Sequence, residues 1–97
     1  MDEATVRKHA EGHAAAMVDG DVRRAARDLT DTGKADAPAV MDKLPKSIES
    51  ADVTDVVFAG DEATATILYR GQGREVAVES RWAEHEGAPM IVGLKLP

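Results

Sequence analysis

The sequence predicts one α+β domain, with N-terminal helices packed on one face of a curved four-stranded antiparallel sheet. Three observations predict it. Apolar residues recur every three or four positions up to about residue 44, and every second position from Ile48 onward. The connections after Ile48 are short and glycine-bearing: Gly60-Asp61, Gly71-Gln72-Gly73 and Glu86-Gly87-Ala88-Pro89. Such turns join neighbouring strands antiparallel, as a meander. The chain has 97 residues, the length of a single domain.

The first helix is expected over 3–18. Val6, Ala10, His13, Ala14, Met17 and Val18 share one helical face, and Arg7, Lys8 and Glu11 lie outside it. Gly20 suits the left-handed residue that ends a helix, and Asp21 can cap the next. That second helix reads as about 21–30, burying Val22, Ala25, Ala26 and Leu29. Thr30 to Lys34 reads as a polar loop around Gly33. Asp36 is the candidate cap of a short third helix over 37–44, with Pro38 in its first turn, where a missing N–H costs nothing. Ala39, Val40, Met41 and Leu44 supply its apolar side, and Pro45 stops it.

Strands are expected at about 48–59, 62–71, 74–86 and 89–96. Alternation puts Ala63, Ala65, Ile67 and Tyr69 on the helix-facing side of the second strand. It does the same for Val76, Val78, Ser80 and Trp82 of the third, and for Met90, Val92, Leu94 and Leu96 of the fourth. Thr64, Thr66, Glu75, Glu79, Arg81 and Lys95 then face away.

Composition narrows the function classes. Phe58, Tyr69 and Trp82 are the only aromatics, and seventeen alanines add little buried area, so the core is thin and aliphatic. A net charge of -6 argues against nucleic-acid binding, which needs Lys and Arg to neutralise phosphates; Arg23, Arg24 and Arg27 read as a solvated helix face. Without cysteine there are no disulfides, thiolate chemistry or cysteine-held zinc. No apolar run approaches the ~18 residues of a membrane span. The charged start MDEATVRKHAEGH lacks the apolar segment of a secretory signal, so a cytoplasmic protein with no membrane or nucleic-acid partner is expected.

Few residues carry candidate chemistry. His9 and His13 sit four apart, but Ala10 stands where a zincin has glutamate, and no third ligand is near in sequence; no metal is expected. His13 lies within the apolar stripe of its helix. It is either a half-buried histidine satisfied by a partner or a neutral imidazole facing a pocket. Tyr69 and Trp82 share the inner face of adjacent strands, as pocket wall or as the core itself. Asp52 and Asp55 have no inner-facing partner that would make an acid–base pair. Asp2-Glu3 and Glu84-His85-Glu86 read as solvated ends. No phosphate loop, nucleophile elbow or paired-carboxylate motif is present, and no cofactor is expected. The pocket-lining candidates are His13, Met17, Tyr69 and Trp82, and no catalytic residue is assigned.

The corner Met17-Val18-Asp19-Gly20-Asp21-Val22, the short helix ahead of the sheet, and the last hairpin, RWAEHEG followed by APMIVGLKL, together resemble the nuclear transport factor 2-like superfamily. That is a cone-shaped α+β fold which includes ketosteroid-isomerase-like and polyketide-cyclase-like proteins. This chain is shorter than usual for the family: the early strand and loop before the third helix look reduced to Asp31-Thr32-Gly33-Lys34-Ala35. A cystatin-like helix-on-sheet domain is the competing architecture. The resemblance implies a modest apolar pocket that binds a small organic ligand without catalysis. One alternative is an isomerase, cyclase or dehydratase with His13 as base and Tyr69 or Trp82 orienting the substrate. The other is an interaction module that pairs as a homodimer through its sheet. The outer face expected for that pairing mixes Thr64, Thr66 and Leu68 with Ala77, Ala83 and Ile91, and Glu75 or Glu79 of one chain would meet Arg81 of the other.

Overall fold

A computed structural model describes all 97 residues. Three helices, α1 (Glu3–Val18), α2 (Val22–Ala26) and α3 (Asp31–Lys43), precede four strands, β1 (Ser50–Ala59), β2 (Glu62–Gly71), β3 (Arg74–His85) and β4 (Ala88–Lys95). The strands form one curved, unclosed antiparallel sheet in the order β1-β2-β3-β4. The fold is α+β, with α1 packed across β1 and β2 and α3 against β4. No helix is long and apolar enough to cross a membrane.

Helix α1 starts where Asp2 accepts a hydrogen bond from the Thr5 N–H at 2.8 Å, capping the first turn. It buries Val6, Ala10, His13 and Ala14 along one stripe. Gly20, at φ +70°, turns the chain, and Asp21 caps α2 through the Arg24 N–H.

Helix α2 is much shorter than the 21–30 expected. After Ala26 the chain makes only tight-turn bonds, from Arg27 N–H to Arg24 and from Asp28 N–H to Ala25. Then Leu29 becomes extended and forms a parallel bridge with Ile91. Bonds from Thr30 N–H to the Ile91 carbonyl (3.0 Å) and from Ile91 N–H to the Asp28 carbonyl (2.6 Å) hold it there. Two good bonds to a strand edge outweigh the few tenths of a kcal/mol per residue that helix propensity offers. Val22, expected inside, is 68% exposed.

The residues read as a loop at Thr30 to Lys34 are the first turn of α3. Thr30, not Asp36, is the cap, its Oγ1 accepting from the Gly33 N–H. Pro38 therefore lies inside the helix rather than in its first turn, removing the donor for the Lys34 carbonyl. Asp36 instead accepts from the Leu94 N–H at 3.0 Å. Gly33 is buried against β4, where a Cβ would run into the Ile91 carbonyl oxygen, so glycine is what lets α3 lie directly on the strand.

The sheet carries one bulge that alters the core. Trp82 pairs with Ile91 and Arg81 pairs with Gly93, leaving Val92 as an extra residue on β4. The bulge reverses the phase of β4. Ile91, expected on the outer face, is fully buried opposite Trp82, while Met90 and Val92, expected inside, are only half-buried. Leu94 stays inside, opposite Ser80, and Leu96 lies beyond the strand. Thr32 and Asp36 bond the Val92 carbonyl and Leu94 N–H, so the outer edge of β4 is covered.

The largest fully buried side chains are Trp82, Ile67, Ile91, Val6 and Ser80. Ser80 reconciles its hydroxyl with that place by accepting from Trp82 Nε1 at 2.9 Å and donating to the Ala65 carbonyl at 2.8 Å. On the outer face, Thr64, Thr66, Leu68, Ala77 and Ala83 are half-buried and no helix covers them. The charges around them are paired within the chain: Arg70 with Asp52 and Glu75, Arg81 with Glu62, and Lys95 with Glu79.

Candidate functional site

A cavity of about 950 Å³ opens between the helices and the sheet. Its origin is compositional. Ala16, Ala25, Ala26 and Ala37 face it from the three helices, and their methyl groups leave unfilled the space that longer aliphatics would occupy. Met17, Val40, Leu44, Ile48, Val78 and Leu94 give it apolar walls.

His13 and Tyr69 also line it, from the helix side and the sheet side respectively. His13 is 6% exposed, and its Nδ1 lies 2.9 Å from Asp28 Oδ2. A carboxylate can only accept, so Nδ1 carries a proton, and whenever the ring holds no second proton Nε2 offers its lone pair. No protein group pairs with Nε2, and no fully buried side-chain polar atom lacks a partner, so Nε2 keeps some exposure on a residue that lines the cavity. The Tyr69 hydroxyl is in the same position: the residue is 3% exposed, and nothing in the chain bonds its oxygen. Burial pushes its phenol well above the usual range, so it stays a neutral O–H donor.

Of the four residues the sequence nominated, three meet at this cavity: His13, Met17 and Tyr69. Trp82 does not. It is wholly buried behind His13, with Ala63 and Ile91 as its strand partners, and its N–H is committed to Ser80. His9 and His13 each meet its ring edge-on, with centroids 6.4 Å away. Those two histidines do not share a ligand site: His9 bonds the Thr5 carbonyl of its own helix, and no three His, Asp or Glu side chains converge anywhere. Asp52 and Asp55 are exposed on β1, on the outer side of the sheet with Leu68 and Thr66 opposite them.

Asp28 is the residue of this candidate site that sequence reasoning missed. It sat unremarked on what read as the polar side of a longer second helix, fifteen positions from its partner. The only hint was the Gly20-Asp21 corner, which folds the following segment back along α1. The cavity mouth carries Lys34, Lys46, Arg74, Asp19 and Asp42, with Val22 and Met41 exposed on its rims.

Chemically, the arrangement offers an apolar chamber, one imidazole acceptor backed by a carboxylate, and one phenolic donor. Compared with known protein families, curated proteins and solved structures, the chain matches none.

Proposed function

We propose that the chain is a small nuclear transport factor 2-like domain that binds a small organic ligand of largely apolar body in this cavity, without transforming it. The cavity itself carries the reading: about 950 Å³ is the size that takes a drug-sized molecule, and its walls are aliphatic. His13 and Tyr69 line it, and their Nε2 and hydroxyl have no protein partners, so a ligand hydroxyl could satisfy either one. The order of helices before a curved antiparallel sheet supports the family placement. A cytoplasmic setting belongs to the same reading, supported by the cysteine-free composition. The test is titration with the neutral fluorophore N-phenyl-1-naphthylamine. Saturable enhancement is expected, and Ala37→Phe, which fills the chamber, should abolish it while leaving the circular dichroism unchanged. No saturable signal, or an unchanged signal in the variant, sinks the reading.

One observation favours an enzymatic alternative. The His13–Asp28 pair has the arrangement of a general base with its supporting carboxylate, and Tyr69, on the wall of the same chamber, carries an O–H that could serve an oxyanion. An isomerase, cyclase or dehydratase would use them so. Solvent-deuterium incorporation into a bound cyclic ketone, lost in His13→Gln, separates this from simple binding.

A homodimer through the outer face also belongs here. Its charges are already paired within the chain, so burying the central strip of Thr66, Leu68 and Ala77 would strand none of them. Val57 at its margin is 54% exposed. Sedimentation equilibrium of the wild type and of Leu68→Lys decides it: a dimer reduced to monomer by the lysine is expected, and a wild-type monomer at micromolar concentration excludes it.

A further inference from the structure

Lys34, Lys46 and Arg74 line the cavity mouth, and none of them is among the chain's salt-bridged residues. Two acids share the rim. Asp19 is already paired with Arg24 at 3.4 Å, which leaves Asp42 as the one free carboxylate against three free cations. In a chain of net charge -6, composition alone would not place a positive rim there.

Two of these cations stand on a braced corner. The Lys46 N–H donates to Gln72 Oε1 at 3.0 Å, fastening the segment after α3 to the turn between β2 and β3. Gly71 presses against the same segment so closely that a Cβ would meet the Ser47 carbonyl. Arg74 donates from Nη2 to the Lys43 carbonyl at 2.8 Å. That bond uses one of its five N–H groups and leaves the others to bind an anion.

Register ties this corner to the interior. Arg74 pairs with Gly71, and Tyr69 lies two residues along β2 on the same face. At the spacing of a strand, that puts the Tyr69 position about 7 Å further in. Moving inward from the corner, a molecule meets free cations first, then Tyr69 O–H and the aliphatic walls formed by Leu44, Ile48 and Val78.

We propose that the ligand is an anionic amphiphile: an apolar body lodged between helices and sheet, with a carboxylate held at the Lys46–Arg74 corner. This rests on the reading of the cavity as a ligand site. A neutral ligand would gain nothing from the rim, whereas a carboxylate exchanges water for charge-assisted bonds at a place whose backbone is already fixed.

The test compares octanoate with octan-1-ol, which share a body and differ in the head group, by isothermal titration calorimetry on the full chain. At low ionic strength octanoate should bind about tenfold more tightly, an advantage that shrinks in about 0.5 M salt, where exposed charges are screened. Lys46→Ala with Arg74→Gln should bring octanoate down to the level of octan-1-ol and leave octan-1-ol unchanged. The salt dependence of the wild type tests the same point without any variant. Equal affinity of the two compounds at both salt concentrations overturns the proposal and leaves the cavity reading standing. Failure of both to bind, while N-phenyl-1-naphthylamine still does, also overturns it. If the fluorophore fails as well, the cavity reading falls with it.

Discussion

Ser80 and Trp82 form a polar contact in a place with no water to replace it, which makes the pair the sharpest probe of the core. Both side chains are fully buried, and the Trp82 N–H has the Ser80 hydroxyl at 2.9 Å as its acceptor. Ser80→Ala removes about one heavy atom of volume, a small packing loss. It also strands the indole N–H in an apolar surrounding, at a cost of about 1–3 kcal/mol. We take about 2 kcal/mol, which for a domain of this size lowers the melting temperature by about 8–15 °C. Trp82→Phe costs about 2 kcal/mol on its own, because a smaller ring leaves part of the site empty. In that background the serine no longer has a donor to satisfy, so Ser80→Ala should cost under about 1 kcal/mol, giving a coupling energy of about 1–2 kcal/mol. Urea titrations of the four proteins, followed by far-ultraviolet circular dichroism because the variant lacks the chain's single tryptophan, measure it directly. If Ser80→Ala costs the same in both backgrounds, the hydrogen bond is not what makes the position matter, and the argument is wrong.

Three further outcomes are expected. Gly33→Ala should destabilise by about 1–3 kcal/mol net, because the clash with the Ile91 carbonyl exceeds the gain of about 1 kcal/mol that alanine brings to a helix; a raised melting temperature would mean that α3 does not lie on β4. Ile91→Ala should cost about 2–5 kcal/mol and Met90→Ala less than about 1 kcal/mol, and the reverse ranking would remove the β4 bulge. Tyr69 has its phenol raised above the ordinary 10.0 by burial. Its contribution is therefore whole below that value, and stability falls as pH rises beyond it, because the unfolded chain gives up a proton that the folded chain keeps. Urea midpoints measured up to about pH 11 should drop in the wild type and drop less in Tyr69→Phe.

Much of the candidate site was legible because period and turn chemistry are local. His13 and Met17 follow from helical spacing along α1, and Tyr69 follows from its alternation with Ile67. Trp82 was placed on the correct face, but its role as core and not wall depends on Ala63, Ile91, His9 and His13 closing around it. Asp28 was illegible. Nothing near it in sequence distinguishes it from the exposed Asp19 or Asp21, and only the return of the chain after Gly20 brings it to His13.

By itself, then, the sequence determined the α+β class, the meander of four strands and the inner faces of β2 and β3. Glycine turns and two-residue alternation have few solutions, and a slip of one residue would expose the whole apolar set. Tertiary structure decided where α2 stops, where α3 begins and which way β4 faces. All three are settled at Ile91, whose backbone draws Leu29 and Thr30 out of the helix, sets the cap of α3, and meets Trp82 across a bulge. Thr30 and Ile91 lie 61 residues apart. The free energy of such a contact belongs to two distant segments at once, so no window of sequence contains it.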